Sequence, residues 1–216
     1  MGGGAMESPL CAGSDDPGLR LIETVLWDGA RCPRIEGHLA RLAAGAQALG
    51  WPCDPQAARA ALVAPAGQPA RLRLTLDRAA RIEVTRGPLP QSRPEWRLAL
   101  AGTRLGSGDP WLRLKTTRRA QYDDARAALP EGIEEAIFLN ERGEVCDGTI
   151  TTVFFDRGQG MRTPPLSCGL LPGVLRAGML AEGACREELL PAGDLPHVRL
   201  WVGNALRGLI PAVWAG

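Results

Sequence analysis

The chain has 216 residues, 45% hydrophobic and 23% charged, with a formal net charge of +1; that is enough for one buried core or two small ones. The near-neutral charge, with no basic block, argues against a nucleic-acid partner. The sequence has no apolar run long enough to span a membrane and no basic-then-apolar signal segment. The six cysteines, at 11, 32, 53, 146, 168 and 185, form no C-x-x-C pair, and with two histidines in the chain they point to no metal site and read as reduced thiols of a cytoplasmic protein.

Residues 1–18, rich in Gly, Ser, Asp and Pro, read as a flexible leader. A strand is expected over Leu19–Trp27, with Glu23 and Thr24 on opposite faces; by itself Glu23 reads as a solvated or edge-strand acid. Asp28-Gly29 marks a turn. Leu39, Leu42, Ala43, Ala46 and Leu49 recur at helical spacing over Ile35–Leu49, and Gly50 ends that helix. His38 and Arg41 lie three apart and share a side of it, His38 as a structural hydrogen-bonding group and Arg41, taken alone, as a solvated charge. Asp54-Pro55 caps and starts a short helix to about Val63. Leu72, Leu74 and Leu76, then Ile82 and Val84, alternate with polar residues across a turn and predict a half-buried hairpin. A Pro-rich segment, Gly87–Pro94, leads into a strand over Trp96–Ala101. The Gly-rich stretch that follows is the boundary between a small lobe, 19–102, and a larger one, 103–216.

In the second lobe an extended run, Trp111–Leu114, precedes Lys115, and a helix is expected from Arg118 to Ala128. Arg119 either lowers the Lys115 pKa by repulsion or pairs with Asp123 or Asp124, and Tyr122 reads as a core aromatic. Strands follow over 136–140, 144–147 and 150–156 in a mixed or antiparallel set. After the extended Thr163-Pro-Pro165, Pro172 suits the first position of a helix running to about Leu189, with Leu175, Met179, Ala184 and Leu189 on its buried side. Asn204, directly after a strand over Val198–Val202, is placed to cap a second anion-binding junction.

A lysine that carries pyridoxal phosphate needs an acid for the pyridine nitrogen, backbone donors for the phosphate and a pocket that excludes water. Asp147 is a candidate for the acid, although Asp147-Gly148 is also a turn pair. The amides at the two junctions, near Gly173 and Asn204, are candidates for the phosphate. Each feature alone reads as structural.

Together, Lys115-Thr-Thr-Arg-Arg119 with Tyr122, Asn140-Glu-Arg-Gly-Glu-Val-Cys-Asp147-Gly-Thr-Ile, Thr163-Pro-Pro-Leu-Ser-Cys-Gly-Leu-Leu-Pro-Gly173 and Asn204-Ala-Leu-Arg-Gly208 resemble the class IV aminotransferase family of pyridoxal-phosphate enzymes. Leu21-Ile-Glu-Thr-Val-Leu-Trp27 and Gly37-His-Leu-Ala-Arg41-Leu42 also match. The resemblance covers Leu19 to Ala212 and is strongest to the branch of 4-amino-4-deoxychorismate lyases, especially the module fused to aminodeoxychorismate synthase. It implies a two-lobed α+β fold of the D-amino acid aminotransferase type, with the cofactor in the cleft between lobes. In it Lys115 matches the cofactor lysine, Arg41 the arginine on its phosphate, Asp147 the acid at the pyridine nitrogen, and Gly173, Val174, Asn204 and Ala205 the phosphate cradle.

The pattern departs where the family usually has other residues. Asp147 stands for a glutamate, Thr152 for an asparagine, Leu114 for a histidine often found before the lysine, and Leu175 for a threonine. The late start suggests a compact, detached form of the fused module. The expected activity is conversion of 4-amino-4-deoxychorismate to 4-aminobenzoate and pyruvate. The alternatives are a D- or branched-chain-type aminotransferase, or a degenerate homologue without catalysis. A small-molecule substrate, a homodimer and a functional link to aminodeoxychorismate synthase follow from the same resemblance.

Overall fold

Alternating apolar residues produce the first strand. In the computed structural model, which describes residue 10, residues 16–91 and residues 93–216, β1 (Leu21–Trp27) buries Leu21, Val25 and Trp27 in one core with Leu39, Leu42 and Ala46 of helix α1 (Ile35–Leu49). The two elements approach closely because α1 carries Gly45, where a Cβ would lie 2.9 Å from Leu21 Cδ2. Helix α2 (Pro55–Ala61) starts as expected, with the Asp54 carboxylate accepting from the Gln56 and Ala57 amides. The hairpin β2 (Ala70–Leu76) and β3 (Ile82–Gly87) then completes an antiparallel sheet in the order β1-β2-β3. Apart from residues 10 and 16–18, the expected leader lies outside the described residues.

The larger sheet has eight strands: β4 (Trp96–Leu100), β5 (Glu135–Leu139), β6 (Val145–Gly148), β7 (Thr152–Asp156), β8 (Arg162–Thr163), β9 (Arg186–Glu187), β10 (Arg199–Asn204) and β11 (Gly208–Trp214). Their order is β6-β5-β4-β11-β10-β7-β8-β9, with β4 parallel to both β5 and β11. Helices α3 (Ala120–Ala127) and α4 (Val174–Ala181) accompany it, giving an α+β arrangement.

This order forces the sheet to curl. β6 and β7 are five strand spacings apart in it, about 24 Å if flat, yet only residues 149–151 join them, a reach of at most about 14 Å. The tight 148–151 turn, closed by a 2.7 Å bond from the Gly148 amide to the Thr151 carbonyl, therefore sits where the curled sheet nearly closes on itself. Trp96, Leu98, Ile137, Val153, Phe155, Val202 and Ile210 fill the inside.

Three expectations are corrected. Residues 111–114 are not a strand: Pro110–Arg113 is a 3-10 turn whose Asp109 carboxylate accepts from the Trp111 amide, and only Leu114 is extended. The helix expected from Pro172 to Leu189 is α4 alone, with Gly173 as its N-cap. Gly183, at φ +70°, ends it, the Gly183 and Ala184 amides bonding back to the Leu180 and Met179 carbonyls, the paired pattern by which a left-handed glycine stops a helix. Leu189 is consequently not on a buried helical face but 47% exposed. Finally, the cap expected at Asn204 opens no helix. The chain reverses through a hairpin into β11, with Asn204 opposite Gly208. Pro211, which has no amide to donate, lies in the middle of β11 between two strands and makes this segment read unlike a central strand.

Candidate active site

Lys115 is held through its backbone. Its carbonyl accepts from the Ile22 amide at 2.8 Å, and the Thr117 amide donates to the Arg20 carbonyl at 2.9 Å, so the lysine segment forms a short bridge along β1. The 3-10 turn before it and α3 after it fix both flanks. The side chain reaches a cavity of about 380 Å³, within the range of small-molecule sites. Burial, then the Arg41 charge, lowers the Lys115 pKa to about 8 against the pull of Glu23; Arg119 adds a smaller lowering. The amine is thus far easier to deprotonate than an exposed lysine.

Asp147 lines the same cavity from the end of β6 and is 6% exposed. Burial raises its carboxyl to about 8. Its Oδ2 accepts only a long bond from the Leu171 amide, 3.3 Å, while Oδ1 has no partner among the described residues. A buried, unsatisfied carboxyl oxygen is costly unless a donor arrives to meet it. This site therefore suits a ligand that brings a protonated nitrogen.

Gly173, Val174, Asn204 and Ala205 also line the cavity. No side chain caps Gly173, which leaves first-turn amides of α4 for an anion. Gly173 is needed sterically, since a Cβ there would lie 2.8 Å from Thr152 Oγ1. Asn204 caps a hairpin turn and not a helix: its Oδ1 accepts from the Leu206 and Arg207 amides, and its Nδ2 donates to the Ile150 carbonyl at 3.1 Å. It ties the β10–β11 turn to the 149–151 turn. The residues expected to hold pyridoxal phosphate, Arg41 and Lys115 included, thus border one cavity, and the chemistry of Asp147 and of the α4 start fits that group.

Arg41 reaches the cavity from α1, its Nε and Nη2 donating to the two Glu23 oxygens at 2.8 and 2.6 Å and its Nη1 to the Pro172 carbonyl at 3.3 Å. The Glu23 reading is corrected: this residue is 2% exposed. Burial pushes its carboxyl up, but Arg41 and His38 outweigh this and hold it down at about 2. His38 is the structural group expected, with Nδ1 2.6 Å from Glu23 Oε2. Arg119 pairs with Asp123 at 2.7 Å and donates to the Thr149 carbonyl. Tyr122 packs edge-on against Phe138.

Sequence reasoning missed Glu135. Fully buried at the start of β5, it accepts from the Thr149 and Ile150 amides at 3.0 and 3.3 Å and from the Thr149 and Thr151 hydroxyls. It holds the 149–151 turn that forms one wall of the cavity. The only signal was an acid opening an apolar strand next to a Thr-rich turn.

The model of the amino-transferase class IV family matches residues 20–213. A solved structure described as a "putative amino-acid aminotransferase" from Mesorhizobium loti is 44% identical, with a TM-score of 0.85, over 91% of this chain and 100% of that one. A "putative aminodeoxychorismate lyase" from Schizosaccharomyces pombe is 29% identical over 78% of this chain and 76% of that protein. A hypothetical aminotransferase from Mycobacterium tuberculosis, solved in a PLP-bound form, shares the fold at 23% identity and a TM-score of 0.78, over 100% of this chain and 88% of its own.

Proposed function

Because the chain belongs to the class IV amino-transferase family of pyridoxal-phosphate enzymes, we propose that it is the lyase that converts 4-amino-4-deoxychorismate to 4-aminobenzoate and pyruvate. The observation that carries this reading is the pair of groups that meet in one cavity, the easily deprotonated Lys115 amine and the buried, half-unsatisfied Asp147 carboxyl. The lyase name of the fission-yeast relative supports the choice of reaction.

Arg41, Gly173, Val174, Asn204 and Ala205 would hold the cofactor phosphate, Lys115 would supply the amine for its aldehyde and Asp147 would face its ring nitrogen. When bound, the cofactor supplies a carbonyl that captures the substrate amine and a ring that withdraws electrons from the neighbouring carbon. Lys115 Nζ, once free, takes the proton from the ring carbon bearing that amine. Asp147 would accept from the protonated ring nitrogen through Oδ1, which has no other partner among the described residues. The enolpyruvyl C–O bond would then break with its electron pair going to oxygen, the departing enolate would take up the proton held on Lys115 to become pyruvate, and the substrate ring would become aromatic. The apolar walls from Leu112, Leu114, Leu171 and Val174 exclude water from the carbanionic carbon. The same reading carries a homodimer, a functional link to aminodeoxychorismate synthase, a cytoplasmic location and a lobe boundary near 102/103. Among the described residues, no helix is long and apolar enough to cross a membrane.

A second reading, an aminotransferase for D- or branched-chain amino acids, is supported in its reaction class alone by the Mesorhizobium structure, described as an amino-acid aminotransferase. One experiment separates the two. With pyridoxal phosphate added, the protein is expected to show an absorbance band near roughly 420 nm that borohydride fixes covalently and that Lys115→Ala lacks. The loaded protein should then release pyruvate from 4-amino-4-deoxychorismate without an added 2-oxo acid. Turnover only with a 2-oxo acid would establish the aminotransferase, and no band at saturating cofactor would overturn both.

A further inference from the structure

We propose that Arg118 receives a substrate carboxylate remote from the reacting amine, so that the cavity selects an extended amino-carboxylate over an α-amino acid. This deepens the lyase reading and rests on it. Four cations border the cavity, Arg41, Lys115, Arg118 and Arg119, and three of them are committed. Arg41 is forked onto Glu23, Arg119 is spent on Asp123 and the Thr149 carbonyl, and Lys115 is the reacting amine.

The Arg118 guanidinium differs. Among the described residues, no carboxylate or carbonyl accepts from it. It stacks 4.7 Å from the centroid of the Trp111 ring, and Trp111 is itself fixed, 8% exposed in the core beneath β1. Stacking occupies the face of a guanidinium and leaves its in-plane donors free, the edge that forks onto a carboxylate. The Arg118 amide donates to Thr116 Oγ1 at 3.2 Å, which fixes the backbone at the base of the side chain. Asp109, the acid on the same wall, is already engaged by the Trp111 amide at 2.9 Å and holds the turn that presents the ring.

Depth determines which carboxylate is bound. Asp147 is buried and Lys115 half-buried, whereas Arg118 is exposed. A ligand that reacts at Lys115 and pairs with Arg118 has its amine at the floor of the cavity and its carboxylate at the rim. An α-amino acid carries both groups on one carbon and cannot span the two. A ring with the amine opposite the carboxylate can.

The test is equilibrium binding, by calorimetry, of 4-aminobenzoate, 4-aminobenzamide and D-alanine to the protein carrying borohydride-fixed cofactor, for the parent, Arg118→Gln and Arg118→Lys. The parent should bind the benzoate at least about tenfold more tightly than the amide, the scale of one charge-assisted contact. Arg118→Gln should erase that preference through weaker benzoate binding and leave the amide and D-alanine unchanged, and Arg118→Lys should restore part of it. A parent with no preference for the benzoate, or Arg118→Gln retaining that preference, would overturn the proposal. Failure of the lyase reading is seen separately, as no pyruvate release from a protein that still prefers the benzoate.

Discussion

At the scale of single residues, Lys115 and Asp147 shape how stability depends on pH in the cofactor-free protein. Burial raises the Asp147 carboxyl from 3.8 to about 8. Between those values the folded chain holds a proton that the unfolded chain releases, so this group's contribution is complete below about pH 4 and is lost as pH rises to about 8. Asp147→Asn should therefore be more stable than the parent at pH 8, by on the order of 5 kcal/mol, and near parity at pH 4. Urea denaturation of both proteins without cofactor, at the two pH values, measures this. An equal gain at both would show that the carboxyl is not held protonated. Lys115 works in the opposite sense higher up, its lowered pKa letting stability recover as pH rises from about 8 to 10.5. Both residues were legible in the sequence because they sit in motifs of fixed spacing. Glu23 and Glu135 were not, because an acid's burial depends on what packs over it from elsewhere in the chain.

At the scale of elements, the site is made of turns and helix starts whose shape depends on small residues and one buried acid. Gly173→Ala would set a Cβ against Thr152 Oγ1. The first turn of α4 must then move, and cofactor affinity should fall about tenfold or more with circular dichroism unchanged. Wild-type affinity in this variant would mean that the α4 start takes no part in binding. Glu135→Gln replaces an acceptor of three amides, two hydroxyls and the Arg126 guanidinium with a group that has only one acceptor atom. A loss of about 2–4 kcal/mol is expected from denaturant unfolding, along with weaker cofactor binding, since the 149–151 turn forms a wall of the cavity. Local signals gave the bounds of α1 and the cap of α2 correctly, because periodicity, Asp54-Pro55 and Gly50 act within a few residues. They failed at α4, where Gly183 stops a pattern that would otherwise continue, and at β11, where Pro211 hides a strand.

At the scale of the whole molecule, the site depends on contacts between the two sheets. The Lys115 backbone is pinned along β1 of the three-stranded sheet, while Asp147 stands on β6 of the eight-stranded one. The Glu23–Arg41–His38 cluster joins β1 to α1 and, through Arg41, to the Pro172 carbonyl ahead of α4. Glu23 titrates at about 2 instead of 4.5, so its stabilisation is present above pH 4.5 and is lost as the pH falls through 2. Glu23→Gln should lower stability at pH 7 by about 3 kcal/mol, leaving Arg41 partly unpaired, and should flatten the acid limb of the stability profile. Unfolding midpoints from pH 2 to 7 would show this, and an unchanged acid limb would exclude the cluster as its source.

The sequence by itself determined the family, α1, the start of α2 and the antiparallel hairpin, and it singled out Lys115 and Asp147, which border one cavity, because these rest on spacing, capping and alternation within short windows. Only the tertiary structure decided the curl of the large sheet, the burial of Glu23 and Glu135, the hairpin at Asn204 and the stacking of the Arg118 guanidinium on Trp111. Each of these depends on which distant segment arrives to cover, pair or leave open a side chain, and that is settled by chain closure and packing across the fold.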